Sequence, residues 1–339
     1  MKRPLLFSLA LMFIFADATK PGPGSIPTPS HNELQRLYAV ASEWQVGTPE
    51  NIKRIDEARN QLIGIGLPAL QFMLDEKWDT GDSLQTRAFE GVVYGIGEPA
   101  FDPLIAKLSD THTYSLRNTV NILGNLAVQL KKTDRVEGPI AALLDRTDLS
   151  VLVLRNVLRT LGTINSKVSV PRIIPFLSHK NELVVISACV ALGQIKGDSS
   201  IGPLLDRIGD GIFTKRIAAA DALVSIGEKS GGLALDRLSN TSDTIALNHL
   251  IRVLGQIKYA PALPTLERLM GNASDWSVRG FAAEALGATA DPSALPALNH
   301  ARETEKIPFV KGKIDAAVSA LQAAGKITQS APRKVAPIP

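Results

Sequence analysis

The sequence is poor in the residues that build most disulfide-bonded, redox and nucleic-acid-binding domains. One cysteine occurs in 339 residues, so no disulfide can form within the chain. Aromatic residues make up 5% of the chain, which suits thin helical layers better than one large globular core. The net charge is +4 and lysine and arginine form no long run, which argues against a nucleic-acid-binding arm.

The motifs of the common enzyme classes are also missing. The sequence has no G-x-S-x-G, no G-x-x-x-x-G-K-[ST], no H-E-x-x-H, no C-x-x-C, and no G-x-G-x-x-G opening a βαβ unit. His112 and His179 recur at the same place two repeats apart, which is about twice the 8–10 Å between packed helices and too far to share a metal. We therefore predict no catalytic residue, no metal site and no cofactor.

What the sequence does contain is a repeat with an apolar residue before a small one. The small position is occupied by Gly64, Gly95, Gly124, Gly162, Gly193, Val224, Gly255 and Gly287. Successive members lie 31, 29, 38, 31, 31, 31 and 32 residues apart. A helix-pair repeat of this period indicates a solenoid, in which neighbouring units share one continuous core.

The last unit shows the plan of the repeat most clearly. Val278 and Leu286 lie on one apolar stripe at helical spacing. We interpret Gly287 as the weak point where this helix ends, and Asp291-Pro292 as the start of the second helix, with Asp as the N-cap. Neither helix is long enough to be stable alone, so each hairpin must pack on its neighbours.

These residues resemble the consensus of HEAT repeats, in the short form first described in phycobilisome-lyase-like proteins. The matching segments are Val278-Arg279, Ala285-Leu286-Gly287, Asp291-Pro292 and Pro296-Ala297-Leu298. The resemblance covers roughly residues 51–321. It implies an all-α solenoid of about eight helical hairpins with irregular terminal caps, an armadillo-type architecture. It says little about function, because the family includes scaffolds, chaperones and a few enzymes.

The resemblance also implies two details of the surface. The helix before the repeated glycine would line the concave side of the solenoid. Asp and Arg residues near the start of that helix would form a ladder between repeats. Pairs of this kind are Asp82/Arg87, Asp210/Arg216 and Asp275/Arg279.

The chain divides into four segments. Residues 1–18 are predicted to be a signal peptide, with a basic start, an apolar run too short to span a bilayer, and cleavage after Ala18. Residues 19–30 form a Pro/Gly-rich linker, residues 31–325 the solenoid, and residues 326–339 a disordered tail. We expect an exported protein, periplasmic or secreted, without a transmembrane span after cleavage. An uncleaved membrane anchor is the alternative.

Three of the long helices share a polar pattern three, six and seven residues before the repeated small position. Its members are Arg117, Asn118, Asn121, Arg155, Asn156, Arg159, Asn248, His249 and Arg252. In the two units between them these positions hold Ile186, Ser187, Val190, Ile217, Ala218 and Asp221. A polar rim around an apolar centre is typical of a binding surface. The alternative is that the Asn and Arg side chains only satisfy loop carbonyls and solvate the surface.

Three single residues complete the prediction. Cys189 aligns with Ala283 of the last repeat, so we expect it to be a small buried residue. Trp78 and Trp276 lie between repeats. We interpret them as side chains packed over helix ends, with anchoring of a partner as the alternative.

The predicted function is that of an exported, non-enzymatic scaffold that binds a protein or peptide partner along its concave face. Two alternatives stay open. One is a phycobilin-lyase-like or chaperone-type protein that acts on another protein. The other is a nucleic-acid-binding solenoid, against which the export signal and the weak charge both argue.

Overall fold

The structure is a computed structural model that describes residues 29–43 and 47–330, with residues 325–330 described by their backbone alone. The predicted signal peptide and most of the predicted linker lie outside these ranges. Within them the chain forms α-helices and short 3-10 turns, and no β-strand. The predicted all-α fold is confirmed.

Eight helical hairpins lie between a first helix, α1 (His31–Ala41), and a last helix, α18 (Pro308–Ser330). The longer helices of the hairpins are α2 (Pro49–Ile65), α4 (Ser83–Ile96), α6 (Thr113–Gln129), α8 (Val151–Thr163), α10 (Glu182–Ile195), α12 (Phe213–Ile226), α14 (Thr244–Gln256) and α16 (Trp276–Thr289). The shorter ones are α3 (Leu67–Glu76), α5 (Phe101–Ala106), α7 (Asp134–Ala142), α9 (Val170–Ile173), α11 (Ile201–Leu205), α13 (Gly231–Ser239), α15 (Leu263–Asn272) and α17 (Leu295–Thr304). The predicted solenoid of about eight hairpins is confirmed.

Short 3-10 turns precede most of the shorter helices, and the turn in the last hairpin begins with a side-chain cap. Asp291 is the N-cap of the turn Pro292–Ala294, and its Oδ1 accepts a hydrogen bond from the Ser293 backbone N at 2.9 Å. The turn leads directly into α17. The start signal predicted at Asp291-Pro292 is therefore confirmed.

The repeated glycine does not end the helix, and our interpretation of Gly287 as a break is wrong. Helix α16 continues past Gly287 to Thr289. A Cβ atom added at Gly287 would lie 2.9 Å from the Cα of Ala317 in α18, and one at Gly255 would lie 2.6 Å from the Cα of Ala285 in α16. Glycine is required at Gly255 and Gly287 because successive long helices pack backbone against backbone there.

Not every pair of long helices has this glycine-on-alanine packing, since Gly124 of α6 meets the side chain of Thr160 in α8, and α12 and α14 differ at both positions. Helix α12 carries Val224 at the glycine position, and α14 carries Val253 where α12 and α16 carry Ala222 and Ala285. Helices α12 and α14 also contact each other less extensively than α14 and α16 do. Two bulkier side chains replace a glycine and an alanine here, so the stack is not uniform along its length.

Helix α18 covers the last hairpin as a C-terminal cap. Its buried residues Ile314, Ala317, Val318 and Leu321 are those predicted to share one apolar stripe. The helix extends to Ser330, so the boundary predicted at residue 325 falls inside it and residues 326–330 are helical. Residues 331–339 lie outside the described ranges. Among the described helices, none combines the length and the apolar character that crossing a bilayer requires.

Candidate partner-binding face

From α6 onward, each long helix and the capping helix α18 have one side that no other described helix covers. We call this surface the long-helix face. It includes the predicted polar positions of α6, α8 and α14 and the apolar positions of α10 and α12 that lie between them. The opposite side of each long helix packs into the core shared with the shorter helices.

At the α6 end of this face, two of the predicted residues have a structural role. Asn118 is 1% exposed, and its Nδ2 donates hydrogen bonds to the backbone oxygens of Trp78 at 2.9 Å and Thr80 at 3.1 Å. Arg117 donates to the same Thr80 oxygen at 3.2 Å and to Asn118 Oδ1 at 2.8 Å. The prediction that Asn118 lies on an exposed binding ridge is wrong, because the connection between α3 and α4 has carbonyl groups that it must satisfy.

The next predicted cluster joins α6 to α8 on the exposed side. Arg159 donates to Asn121 Oδ1 at 2.9 Å and to Asn156 Oδ1 at 3.1 Å. Asn156 Nδ2 in turn donates to the backbone oxygen of Leu152 at 2.8 Å. Arg155 makes no hydrogen bond or ion pair with any described residue, and its Nε is buried without an acceptor. In this cluster the guanidinium group of Arg159 is therefore held by hydrogen bonds, and that of Arg155 has no partner among the described residues.

The third predicted cluster links α14 to the helices on both sides of it. Arg252 forms an ion pair of 2.7 Å with Asp221 of α12. Asn248 Nδ2 donates to Ser277 Oγ of α16 at 2.9 Å. Asn248 Oδ1 and Arg252 Nε are buried and lack hydrogen-bond partners among the described residues.

His249 lies on the same face, between two cations. Its ring centroid is 6.5 Å from that of Phe213, and it is half-buried. Burial lowers the pKa of His249, and the nearby Arg216 and Arg252 lower it further. At neutral pH the imidazole is therefore uncharged.

Between the polar clusters, α10 and α12 form an open groove of about 400 Å³. Its walls include Ile186 and Val190 of α10, and Phe213, Ile217 and Asp221 of α12. Phe213 is 62% exposed and Val190 is 45% exposed. The structure thus brings together the apolar positions that the sequence placed at the centre of the face.

Sequence reasoning missed a row of exposed apolar residues at the start of each long helix from α6 onward. We call these residues the apolar row. They are Tyr114, Leu152, Leu183, Phe213, Ile245, Trp276 and Phe309, each the first or second residue of its helix. Single exposed apolar residues are normal on a soluble protein, but seven in register make a continuous feature. The signal was present in the sequence, because six of them lie ten or eleven residues before the repeated small position.

The two tryptophans between repeats behave differently. Trp78 is buried, and its Nε1 donates to Thr119 Oγ1 at 2.9 Å, so its predicted packing role is confirmed. Trp276 is 48% exposed and contacts Phe309 edge to face, with ring centroids 5.6 Å apart. With Phe281, these rings line a cavity of about 270 Å³ at the C-terminal end of the apolar row. Trp276 thus packs against the start of the next long helix, α18, with about half of its surface open to solvent, and its role as an anchor for a partner stays a prediction.

The shorter helices carry a ladder of ion pairs between successive repeats. Its members are Arg135–Asp102 at 2.6 Å, Arg172–Asp145 at 3.5 Å, Lys229–Asp198 at 2.9 Å and Arg237–Asp206 at 2.7 Å. All four pairs lie on the opposite layer from the long-helix face. Exposed pairs of this kind contribute little stability each, but each of them neutralises one cation of that layer.

The Asp–Arg pairs predicted by resemblance have other roles. Asp82 and Asp275 are the N-caps of α4 and α16 and accept backbone hydrogen bonds there. Arg216 donates to a backbone oxygen, that of Asp210, at 2.6 Å. Arg279 pairs with Glu305 at 2.7 Å. The ladder exists, but it is formed by other residues on the other layer.

Buried polar and ionisable groups elsewhere fit structural roles. Cys189 is fully buried, and burial raises the pKa of its thiol to about 12, which confirms the prediction of an inert core residue. Among the described residues, no group of three or more His, Cys, Asp or Glu side chains is placed to hold a metal ion. His112 pairs with Asp110 at 2.8 Å, close to the start of α6.

The fold and its exposed face define a helical-hairpin solenoid. The family model of HEAT repeats matches residues 136–224 and 233–326, which together are more than half of the chain. The chain belongs to the HEAT-repeat family, and the resemblance inferred from the sequence is confirmed. A search of curated proteins found no match.

Solved structures of other helical solenoids are similar in fold. Kap95p, in a structure with RanGDP, is 14% identical with a TM-score of 0.53, over 86% of this chain and 48% of that chain. The complex of CpcE and CpcF of phycocyanin lyase from a Nostoc species is 17% identical with a TM-score of 0.37, over 65% of this chain and 94% of that chain. Human deoxyhypusine hydroxylase is 16% identical with a TM-score of 0.31, over 86% and 96%. At these identities the likeness shows the fold alone.

Proposed function

We propose that this chain is an exported, non-enzymatic scaffold that binds a protein or peptide partner along its long-helix face. The observation that carries the proposal is the groove between α10 and α12, with exposed apolar walls and polar clusters on either side. A surface that only contacts water would be expected to carry polar side chains at these positions. Here Val190 and Phe213 remain open to solvent instead.

The groove has the size and chemistry of a site for one or two side chains of a partner. Burying an apolar side chain of the size of valine or phenylalanine contributes about 1.5–3 kcal/mol. The apolar row continues from the groove in both directions, so an extended segment could cross several repeats. Successive long helices lie about 8–10 Å apart, which matches about three residues of an extended chain.

The test removes the apolar walls without touching the core. We expect the double substitution Val190→Ser with Phe213→Ser to weaken binding of any partner at least about tenfold, since 1.4 kcal/mol corresponds to a factor of ten. The matched control is Leu233→Ser on α13, a residue 51% exposed on the opposite layer. If partners isolated with the unmodified protein bind the double variant equally well, the groove is not the binding site.

Export is proposed from the sequence of residues 1–18, with its basic start, apolar run and Ala-Asp-Ala ending. The test is N-terminal sequencing of the protein isolated from its native compartment. We expect the mature chain to begin at Thr19. A mature chain that begins at Met1 in the cytosol would contradict the proposal.

A further inference from the structure

We infer that the segment bound in the groove between α10 and α12 is acidic, with an apolar anchor side chain flanked by aspartate or glutamate. This inference rests on the proposed function and adds the chemistry of the partner. It follows from the distribution of charge and of unsatisfied hydrogen-bonding atoms on the long-helix face.

Arg252 of α14 and Arg279 of α16 are paired with carboxylates, whereas the other arginines of the long helices from α6 onward have no such pair within the described ranges. Arg117, Arg159 and Arg216 donate to backbone carbonyl or amide oxygens, which carry no net charge. Arg155 engages no described residue. On the opposite layer, by contrast, four basic side chains are paired with carboxylates in the ladder. Arg155, Arg159 and Arg216, on the helices in and beside the groove, are therefore cations without a carboxylate partner among the described residues.

The unsatisfied atoms lie in the same place. Within the described ranges, four buried side-chain nitrogen or oxygen atoms lack a hydrogen-bond partner: Nε of Arg155, Arg216 and Arg252, and Oδ1 of Asn248. All four belong to α8, α12 and α14, the helices in and beside the groove. Three of them are donors, and a buried donor needs an acceptor. The Nε atoms themselves are shielded from solvent, so a partner would meet the terminal nitrogens of the same guanidinium groups, to which a carboxylate supplies acceptors and negative charge together.

The positions of these groups set the pattern of the partner. Arg155 occupies the same column of α8 that Ile186 occupies in α10, so it lies one helix away from the groove wall. On the other side, Arg216 precedes Ile217 in α12 and its guanidinium is 5.7 Å from the centre of the Phe213 ring. A carboxylate about three residues from an apolar anchor on one side would reach Arg155, and one about one or two residues away on the other side would reach Arg216, because an extended chain advances about 3.3 Å per residue.

Of the two acidic groups near the groove, Asp221 is neutralised by an ion pair and Glu182 keeps its negative charge, so a partner's carboxylates would bind away from Glu182. Asp221, which lines the groove, is held by Arg252 at 2.7 Å. Glu182, in the first turn of α10, accepts a hydrogen bond from Thr214. His249 is the titratable group that would report the partner. A carboxylate bound between Arg216 and Arg252 would offset the two positive charges that lower the histidine pKa.

The test uses the full chain and a display library of random linear peptides. Peptides are selected on the unmodified protein, and those that still bind the Val190→Ser, Phe213→Ser double variant are discarded. We expect the remaining peptides to be enriched in Asp or Glu on both sides of an apolar residue. Their affinity should fall about threefold to tenfold in Arg155→Gln and in Arg159→Gln. The matched control is Arg237→Gln on α13, which should leave their affinity unchanged.

The outcomes separate the inference from the proposed function. Groove-dependent peptides that are neutral or basic, or that bind Arg155→Gln and Arg159→Gln unchanged, would overturn the inference and leave the binding function standing. The absence of any groove-dependent peptide would overturn both. A DNA duplex that binds through Arg155 in preference to the peptides would also overturn the inference. An NMR titration of His249 gives a second readout, since its pKa should rise when an acidic peptide binds.

Discussion

A substitution of the repeated glycine tests the packing that creates the long-helix face. In Gly255→Ala the new methyl carbon would lie 2.6 Å from both the Cα and the Cβ of Ala285. Ordinary contact between carbon atoms needs about 3.5–4.0 Å, so α16 would have to move by about 1 Å. Overpacking of this kind costs about 1–3 kcal/mol. Alanine is favoured over glycine within a helix by about 0.5–1 kcal/mol, which offsets part of that cost.

We therefore expect Gly255→Ala to destabilise the protein by about 1–2 kcal/mol. The matched control is Gly312→Ala in α18, where no atom lies within 4 Å of the added Cβ, so stability should rise slightly. Thermal unfolding followed by circular dichroism gives the ranking of the variants. Native-state hydrogen exchange then shows whether α14 and α16 open first, since a repeat array need not unfold in one step. A Gly255→Ala midpoint at or above that of the unmodified protein would refute the close helix approach.

Three further predictions concern single side chains. Asn118→Ala should lower the thermal midpoint, because the Trp78 and Thr80 carbonyls each lose one of their hydrogen bonds at about 0.5–1.5 kcal/mol, whereas the more exposed Asn156→Ala should change it little. The pKa of Glu305 is lowered to about 2 by its hydrogen bonds from Arg279, so this carboxylate stabilises the fold above about pH 4 and the contribution is lost as pH falls toward 2. Acid unfolding of Glu305→Gln should therefore be less steep in that window, and an unchanged profile would contradict the pairing. Cys189 should resist iodoacetamide at neutral pH until the chain is unfolded, and rapid modification of the native protein would contradict its burial.

The fold could be predicted because each repeat carries the same short-range sequence signals. Glycine or valine at one position, apolar residues at helical spacing around it, and caps such as Asp291 recur about every 31 residues. The mistake at Gly287 has a physical cause. A glycine inside a helix and a glycine that ends one look alike in sequence, and only the neighbouring helix at Ala317 decides between them.

The candidate site was predictable in part. The apolar centre at Val190 and Ile217 followed from the columns of the repeat, and both residues do line one groove. For Asn118, satisfaction of loop carbonyls was only the alternative prediction, because its partners are backbone oxygens of the preceding repeat, about forty residues earlier. Nor did the sequence show which arginines are neutralised, since ion pairs such as Arg237–Asp206 form between repeats in space.

The most direct measurement is site-specific photo-crosslinking in the native organism. A photoreactive amino acid is placed at Phe213, in the groove, or at Leu233, equally accessible on the opposite layer. The account predicts a discrete crosslinked partner at position 213 and none at position 233. Crosslinks at position 233 alone, or the same products at both positions, would contradict the assignment of binding to the long-helix face.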